Sequence, residues 1–134
     1  MELERGGSFT ISLRPDKAPK TVANFVAKAT AGFYDGKTFH RVEDWVVQGG
    51  DPDGTGRGGG KMPSELNDLP FSKGAAGIAR GPDIKVNNDS QFFVVKSDAS
   101  WLNKQYTNFG AVTSGIDVVL GIKVGDRIKT VKVE

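Results

Sequence analysis

The apolar residues of this chain fall in short runs, parted by stretches crowded with glycine, proline, aspartate and asparagine. Runs of that length make strands and turns, not long helices. Phe9, Ile11 and Leu13 alternate with Ser8, Thr10 and Ser12, the period of a half-buried strand. Thr38 to Val42 and Trp45 to Gln48 read as two strands joined by a tight turn at Glu43-Asp44. Further strands are expected at Ala75 to Ala79, Gln91 to Val95, Phe109 to Val112 and Ile128 to Val133, with Gly49 to Lys73 and Gly81 to Asp89 as loops. Two segments keep a helical period instead. Pro19 suits a first helical turn, Val22, Phe25, Val26 and Ala29 follow on one face, and Gly32 is the stop. Ser114-Gly115-Ile116-Asp117 has the spacing of a capping box ahead of Ile116, Val119 and Leu120. With no internal repeat and no linker, the expectation is one domain over residues 1–134: an all-β barrel with helices packed across its ends.

Composition removes several classes of function. A formal charge of +2, from 18 basic and 16 acidic residues spread along the chain, is too weak for a nucleic-acid surface. The basic stretch Arg127 to Lys132 alternates with Ile128, Thr130 and Val131 and reads as a half-exposed strand. No cysteine is present and His40 is the only histidine, so neither a disulfide framework nor a thiolate or histidine metal site is expected. No run reaches membrane-spanning length, and Met1 to Arg5 lack the apolar core of a signal peptide, which makes the cytoplasm the default location. Gly54, Gly56 and Gly59 satisfy GxGxxG, but Pro63 and the residues after it oppose the helix a dinucleotide site needs. Thr55 and Met62 spoil a phosphate-binding loop in the same stretch.

Chemistry concentrates where strong polar groups interrupt apolar runs. Phe39-His40-Arg41 leads into Val46-Val47-Gln48, and Ser90-Gln91 leads into Phe92-Phe93. An arginine and two glutamines in such company need partners, since unpaired buried polar groups are costly. An apolar cleft with one fixed cationic donor is the arrangement they predict. Phe92 and Phe93, adjacent on one strand, should face opposite ways. Trp101-Leu102 adds an aromatic and an aliphatic wall from a loop. His40 has no matching acid or nucleophile and reads as a structural hydrogen-bonder.

These motifs, in this order, resemble the cyclophilins, a family of peptidyl-prolyl cis/trans isomerases. The resemblance rests on Asp16 to Phe25, Phe39-His40-Arg41, Gln48 to Pro52 with the glycine loop Gly54 to Gly59, Ser90 to Phe93, Trp101-Leu102 and Phe109-Gly110. It implies a closed antiparallel barrel of eight strands capped by two α-helices. By the same resemblance Arg41, Gln48 and Gln91 are the catalytic set, with the glutamines holding the guanidinium. Phe93, Val46, Leu102 and Tyr106 would form a proline pocket, Trp45 and Trp101 its rim, and Ala79 and Arg80 the contact to the substrate backbone. No cofactor is implied. The partners implied are proline-containing peptides and unfolded protein clients, together with cyclosporin-type macrocycles, and the protein is expected to be a monomer.

That chemistry suits the residues. Rotation about X-Pro breaks amide resonance against a barrier of about 18–20 kcal/mol. A 10⁵-fold acceleration means removing roughly 7 kcal/mol of it. A dry pocket favours the less polar twisted amide, and a donor aimed at the prolyl nitrogen stabilises a lone pair present only in the transition state. Arginine remains charged and offers a planar fork that amide oxygens can brace. The chain also departs from the family pattern. Six residues separate Arg41 from Gln48, one fewer than usual; Trp45 and Val46 stand for Phe and Met, Arg80 for Asn and Tyr106 for His. These changes leave open a proline-peptide binding module or holdase without turnover.

Overall fold

Phe92 and Phe93 set the plan of the molecule, because their strand separates two apolar clusters. The computed structural model describes residues 1–134. Nine strands and two helices follow in the order β1 (Glu2–Leu3), β2 (Thr10–Leu13), α1 (Pro19–Thr30), β3 (Phe39–Val42), β4 (Val46–Gly49), β5 (Lys61–Pro63), β6 (Ala75–Arg80), β7 (Val86–Val95), β8 (Asn108–Ser114), α2 (Ile116–Leu120) and β9 (Ile128–Thr130). Phe92 joins Phe25, Tyr34, Phe39 and Phe109 in the main core. Phe93 faces the other way, into a smaller cluster with Val46, Phe71, Val95 and Leu102. The opposed faces expected from the sequence are found.

The expected closed, eight-stranded barrel is not. Seven strands form one antiparallel sheet in the order β2-β8-β6-β7-β4-β3, with β5 paired to the early part of β7. Its ends, β2 and β3, do not pair with each other, while β1 and β9 form a separate two-stranded ribbon. No ladder joins the ribbon to the larger sheet; the isolated bridges Glu2–Ser8 and Thr38–Arg127 and single backbone bonds such as Gly36 N–H to the Ile128 carbonyl at 2.7 Å tie it to the chain before β2 and before β3. The reason is local. Leu3 to Gly7 folds back on itself in a tight turn, and β9 stops at Thr130, so Val131 to Val133 of the expected last strand add no ladder.

Two other expectations change. β7 begins at Val86, inside the segment expected to be loop. Its polar residues are held by side-chain bonds: Asn87 donates to Thr107 at 2.9 Å, though its Oδ1 is buried without a partner, and Asn88 donates to the Gly58 carbonyl at 2.9 Å. The capping box before α2 does not form, since Gly115 occupies the N-cap with φ 82° and no side chain caps the helix. A Cβ at Gly115 would lie 2.4 Å from the Ser8 carbonyl oxygen, so close packing against the chain entering β2 selects glycine there. Helix α1 begins at Pro19 as expected, but a distant residue caps it. The Glu65 carboxylate accepts bonds from the backbone N–H groups of Thr21 at 2.6 Å and Lys20 at 3.2 Å, placing negative charge at the helix N-terminus. No helix is long and apolar enough to cross a membrane.

Candidate active site

The β3–β4 hairpin puts Arg41 directly across from Gln48, and β4 lies against β7 with Gln48 opposite Phe93. Cross-strand neighbours of this kind bring side chains within contact. Arg41 Nη1 donates to Gln48 Oε1 at 3.1 Å, and Gln48 Nε2 donates to Gln91 Oε1 at 3.0 Å. Gln91 Nε2 in turn donates to the Gly58 carbonyl at 2.9 Å. The two carboxamides therefore form a relay in which every donor and acceptor is oriented by the next. Of the two glutamines only Gln48 touches the guanidinium; Gln91, expected to do so too, fixes the way Gln48 points.

Beside this relay lies a cleft of about 480 Å³. Arg41, Trp45, Val46, Gln48, Ala79, Arg80, Phe93, Trp101, Leu102 and Tyr106 all line it, whereas Gln91 stands behind Gln48. Its floor is apolar: Val46, Phe93 and Leu102 are buried. Phe93 stacks on Phe71 at 5.7 Å and meets Tyr106 edge-on at 5.8 Å. Gly77 on β6 makes this possible, since a Cβ there would come within 2.4 Å of the Phe93 ring and 2.8 Å of Phe71. At the rim Trp45 and Trp101 meet edge-to-face at 5.2 Å, and Trp101 is 59% exposed.

Arg41 is at the lip of the cleft, not deep within it, for its side chain is 45% exposed. Its Nε donates to the Glu43 carboxylate at 2.5 Å, and its Cζ lies 5.7 Å from the Trp45 ring centroid. In the sequence Glu43 reads only as a residue of the hairpin turn, which gives no sign of this bond. A register shift between Phe39 and Arg41 alters the facing of β3 residues, and strict alternation does not anticipate it. Gln105, also on the cleft wall, carried no signal in the sequence.

The glycine loop is organised from below by Asp51, which is 1% exposed. Its carboxylate accepts from the backbone N–H of Asp53 at 2.9 Å, of Gly58 at 3.2 Å and of Gly56. Burial pushes this carboxyl's pKa up, but the bonds from Asp53, Gly58 and Gly56, with a smaller effect of His40, outweigh burial and hold it below the usual range. His40 is not the hydrogen-bonder expected: its Nδ1 is buried without a partner. Burial lowers its pKa, opposed by Asp51 and reinforced by Arg41. No group of three or more His, Cys, Asp or Glu residues is placed to hold a metal ion.

The sequence profile described as cyclophilin type peptidyl-prolyl cis-trans isomerase/CLD matches residues 1–134. The chain belongs to the cyclophilin family. Peptidyl-prolyl cis-trans isomerase B of Bacillus subtilis is 44% identical over 98% of this cyclophilin and 94% of that protein. A peptidyl-prolyl cis-trans isomerase of Synechococcus elongatus is 39% identical, covering 99% and 93% of the two chains. Among solved structures, a Cryptosporidium parvum cyclophilin determined in the presence of the dipeptide Ala-Pro superposes with a TM-score of 0.83. That pair is 28% identical over 94% of this chain and 88% of the other. The cyclophilin fold, mostly sheet with two helices, is thereby shared, and the activity is that of a peptidyl-prolyl cis-trans isomerase that assists protein folding.

Proposed function

We propose that this enzyme seats the proline ring of peptides and unfolded chains on Phe93, between Val46, Leu102 and Tyr106, and aims Arg41 at the prolyl nitrogen. The observation that carries this reading is the unbroken relay from Arg41 through Gln48 and Gln91 to the Gly58 carbonyl, at the edge of a buried apolar floor. As the amide twists, its nitrogen regains a lone pair. A guanidinium already oriented needs no reorganisation to meet that lone pair. Trp45 and Trp101 form the rim over which the flanking residues pass, with Ala79 and Arg80 on the facing wall. That the related Cryptosporidium parvum cyclophilin was determined in the presence of Ala-Pro supports a proline-containing guest for this chain. Exchange spectroscopy on a proline peptide tests the reading. Catalysis brings cis and trans signals into exchange at sub-stoichiometric protein, whereas a binding module or holdase shifts them without speeding interconversion.

Turnover is expected to be flat from about pH 6.5 to 8.5, because no bond is cleaved and no essential group titrates there. Burial, with a smaller effect of Arg41, lowers the pKa of His40 and so favours its neutral form across that range. A bell-shaped profile centred near neutrality overturns the mechanism. Stability behaves differently. The lowered pKa of His40 disfavours its protonation in the fold, so stability declines as pH drops below the unfolded value of about 6.5. Asp51, also lowered, contributes stability present above about pH 3.9 and lost as pH falls through its folded value.

The exposed Trp101 beside the buried floor also fits an apolar, cyclosporin-type macrocycle. Titration with cyclosporin should quench or shift tryptophan fluorescence and inhibit exchange. An unchanged spectrum with no calorimetric heat rejects that ligand.

A further inference from the structure

Two arginines line the cleft, and their charges are treated differently. Arg41 is compensated by the Glu43 carboxylate. Arg80 takes part in none of the five ion pairs of the molecule. Neutral groups hold it instead: Nε donates to the Gln105 carbonyl at 2.9 Å and Nη1 to the Gly81 carbonyl at 2.9 Å. Its Cζ sits 4.3 Å from the Tyr106 ring centroid, a stacking distance for a guanidinium. These contacts fix the side chain without cancelling its charge. They also occupy only part of a guanidinium's five N–H donors.

Position completes the case. Tyr106 is itself packed edge-on against Phe93, so the cation stands one ring away from the floor. A residue next to a proline resting on that floor is within reach of Arg80. A pre-fixed guanidinium loses little side-chain freedom on pairing with a planar carboxylate. Basic residues in the same place meet like charge, and no acidic residue lines the cleft.

We propose that Arg80 makes this isomerase select proline segments with an aspartate or glutamate adjacent to the proline. The proposal rests on the assignment of this cleft as the proline site. Its test uses peptides that differ only by Glu or Lys, placed before or after a single proline, with exchange rates and Kd both obtained by NMR. At low ionic strength Glu peptides should exceed Lys peptides by about three- to fivefold in kcat/KM and in affinity at one of the two positions. Raising salt to about 0.5 M should shrink the ratio toward one. Arg80→Gln should bring the ratio near one, Arg80→Lys should keep part of it, and Arg80→Glu should invert it.

A wild-type ratio of one at both positions overturns the proposal, as does a ratio unmoved in Arg80→Gln and Arg80→Glu. The wild-type salt series decides the matter even where a variant fails to fold. Glu over Lys discrimination in Kd with no acceleration of exchange upholds the charge preference and rejects the isomerase assignment. Rapid exchange of both peptides at equal kcat/KM does the reverse.

Discussion

Replacing Arg41 with alanine should lower kcat/KM by about 10²- to 10³-fold, the usual cost of removing one preorganised donor to a developing charge. Stability should change little. The side chain is 45% exposed and its ion pair with Glu43 is at the surface, where such pairs contribute about 0–1 kcal/mol. A large loss of turnover beside a nearly unchanged melting temperature therefore separates catalysis from folding. Arg41→Lys should also be poor. An ammonium has no planar fork with which to engage Glu43 and Gln48 while still facing the substrate. Turnover close to wild type in Arg41→Ala would rule out the proposed mechanism.

The second large effect falls on stability. Phe92→Ala should destabilise the fold by about 3–5 kcal/mol, read as a lower urea midpoint. That is a large share of the roughly 5–15 kcal/mol holding a domain of this kind together. Phe92 is 0% exposed, and its ring meets those of Phe25, Tyr34 and Phe39 edge-on at 5.8, 5.6 and 6.0 Å. Those neighbours link helix α1, the chain after it and β3, so no single element can move in to refill the space. Phe93→Ala, one residue on, opens the smaller cluster beneath the cleft and should cost turnover in addition to stability. Equal loss of activity per unit of stability in the two variants would contradict the separation of the two faces.

Much of this was legible in the chain itself, for identifiable reasons. Alternation located β2, whose Ile11 and Leu13 are half-buried on one face, and short apolar runs located β3, β4 and the later part of β7, where most residues of β4 and β7 are buried. The same signal missed β5 and the start of β7, where Asn87, Asn88 and Asp89 are held by polar bonds instead of apolar packing. Closure of the barrel was not legible because it depends on which edges finally pair. The sheet ends β2 and β3 do not pair, and the β1–β9 ribbon meets the chain beside them through isolated bridges and single backbone bonds that leave no periodic trace. At the cleft, the proposed apolar lining was visible as residue types, and ten of the named side chains line one cavity. Depth was not visible. Whether Arg41 was sunk or half exposed, and that Glu43 would take its Nε, depended on a register shift of one residue in β3.

The bond from Gln91 to the Gly58 carbonyl ties the orientation of the guanidinium to a segment outside the cleft. Asp51 gathers that segment through three backbone N–H groups, and Asn88 grips the same carbonyl from β7. The glycine-rich stretch is thus the anchorage of a lever whose far end is Arg41. Slack introduced at its fixed end would be felt as misdirection at the tip, with the proline seat itself left untouched.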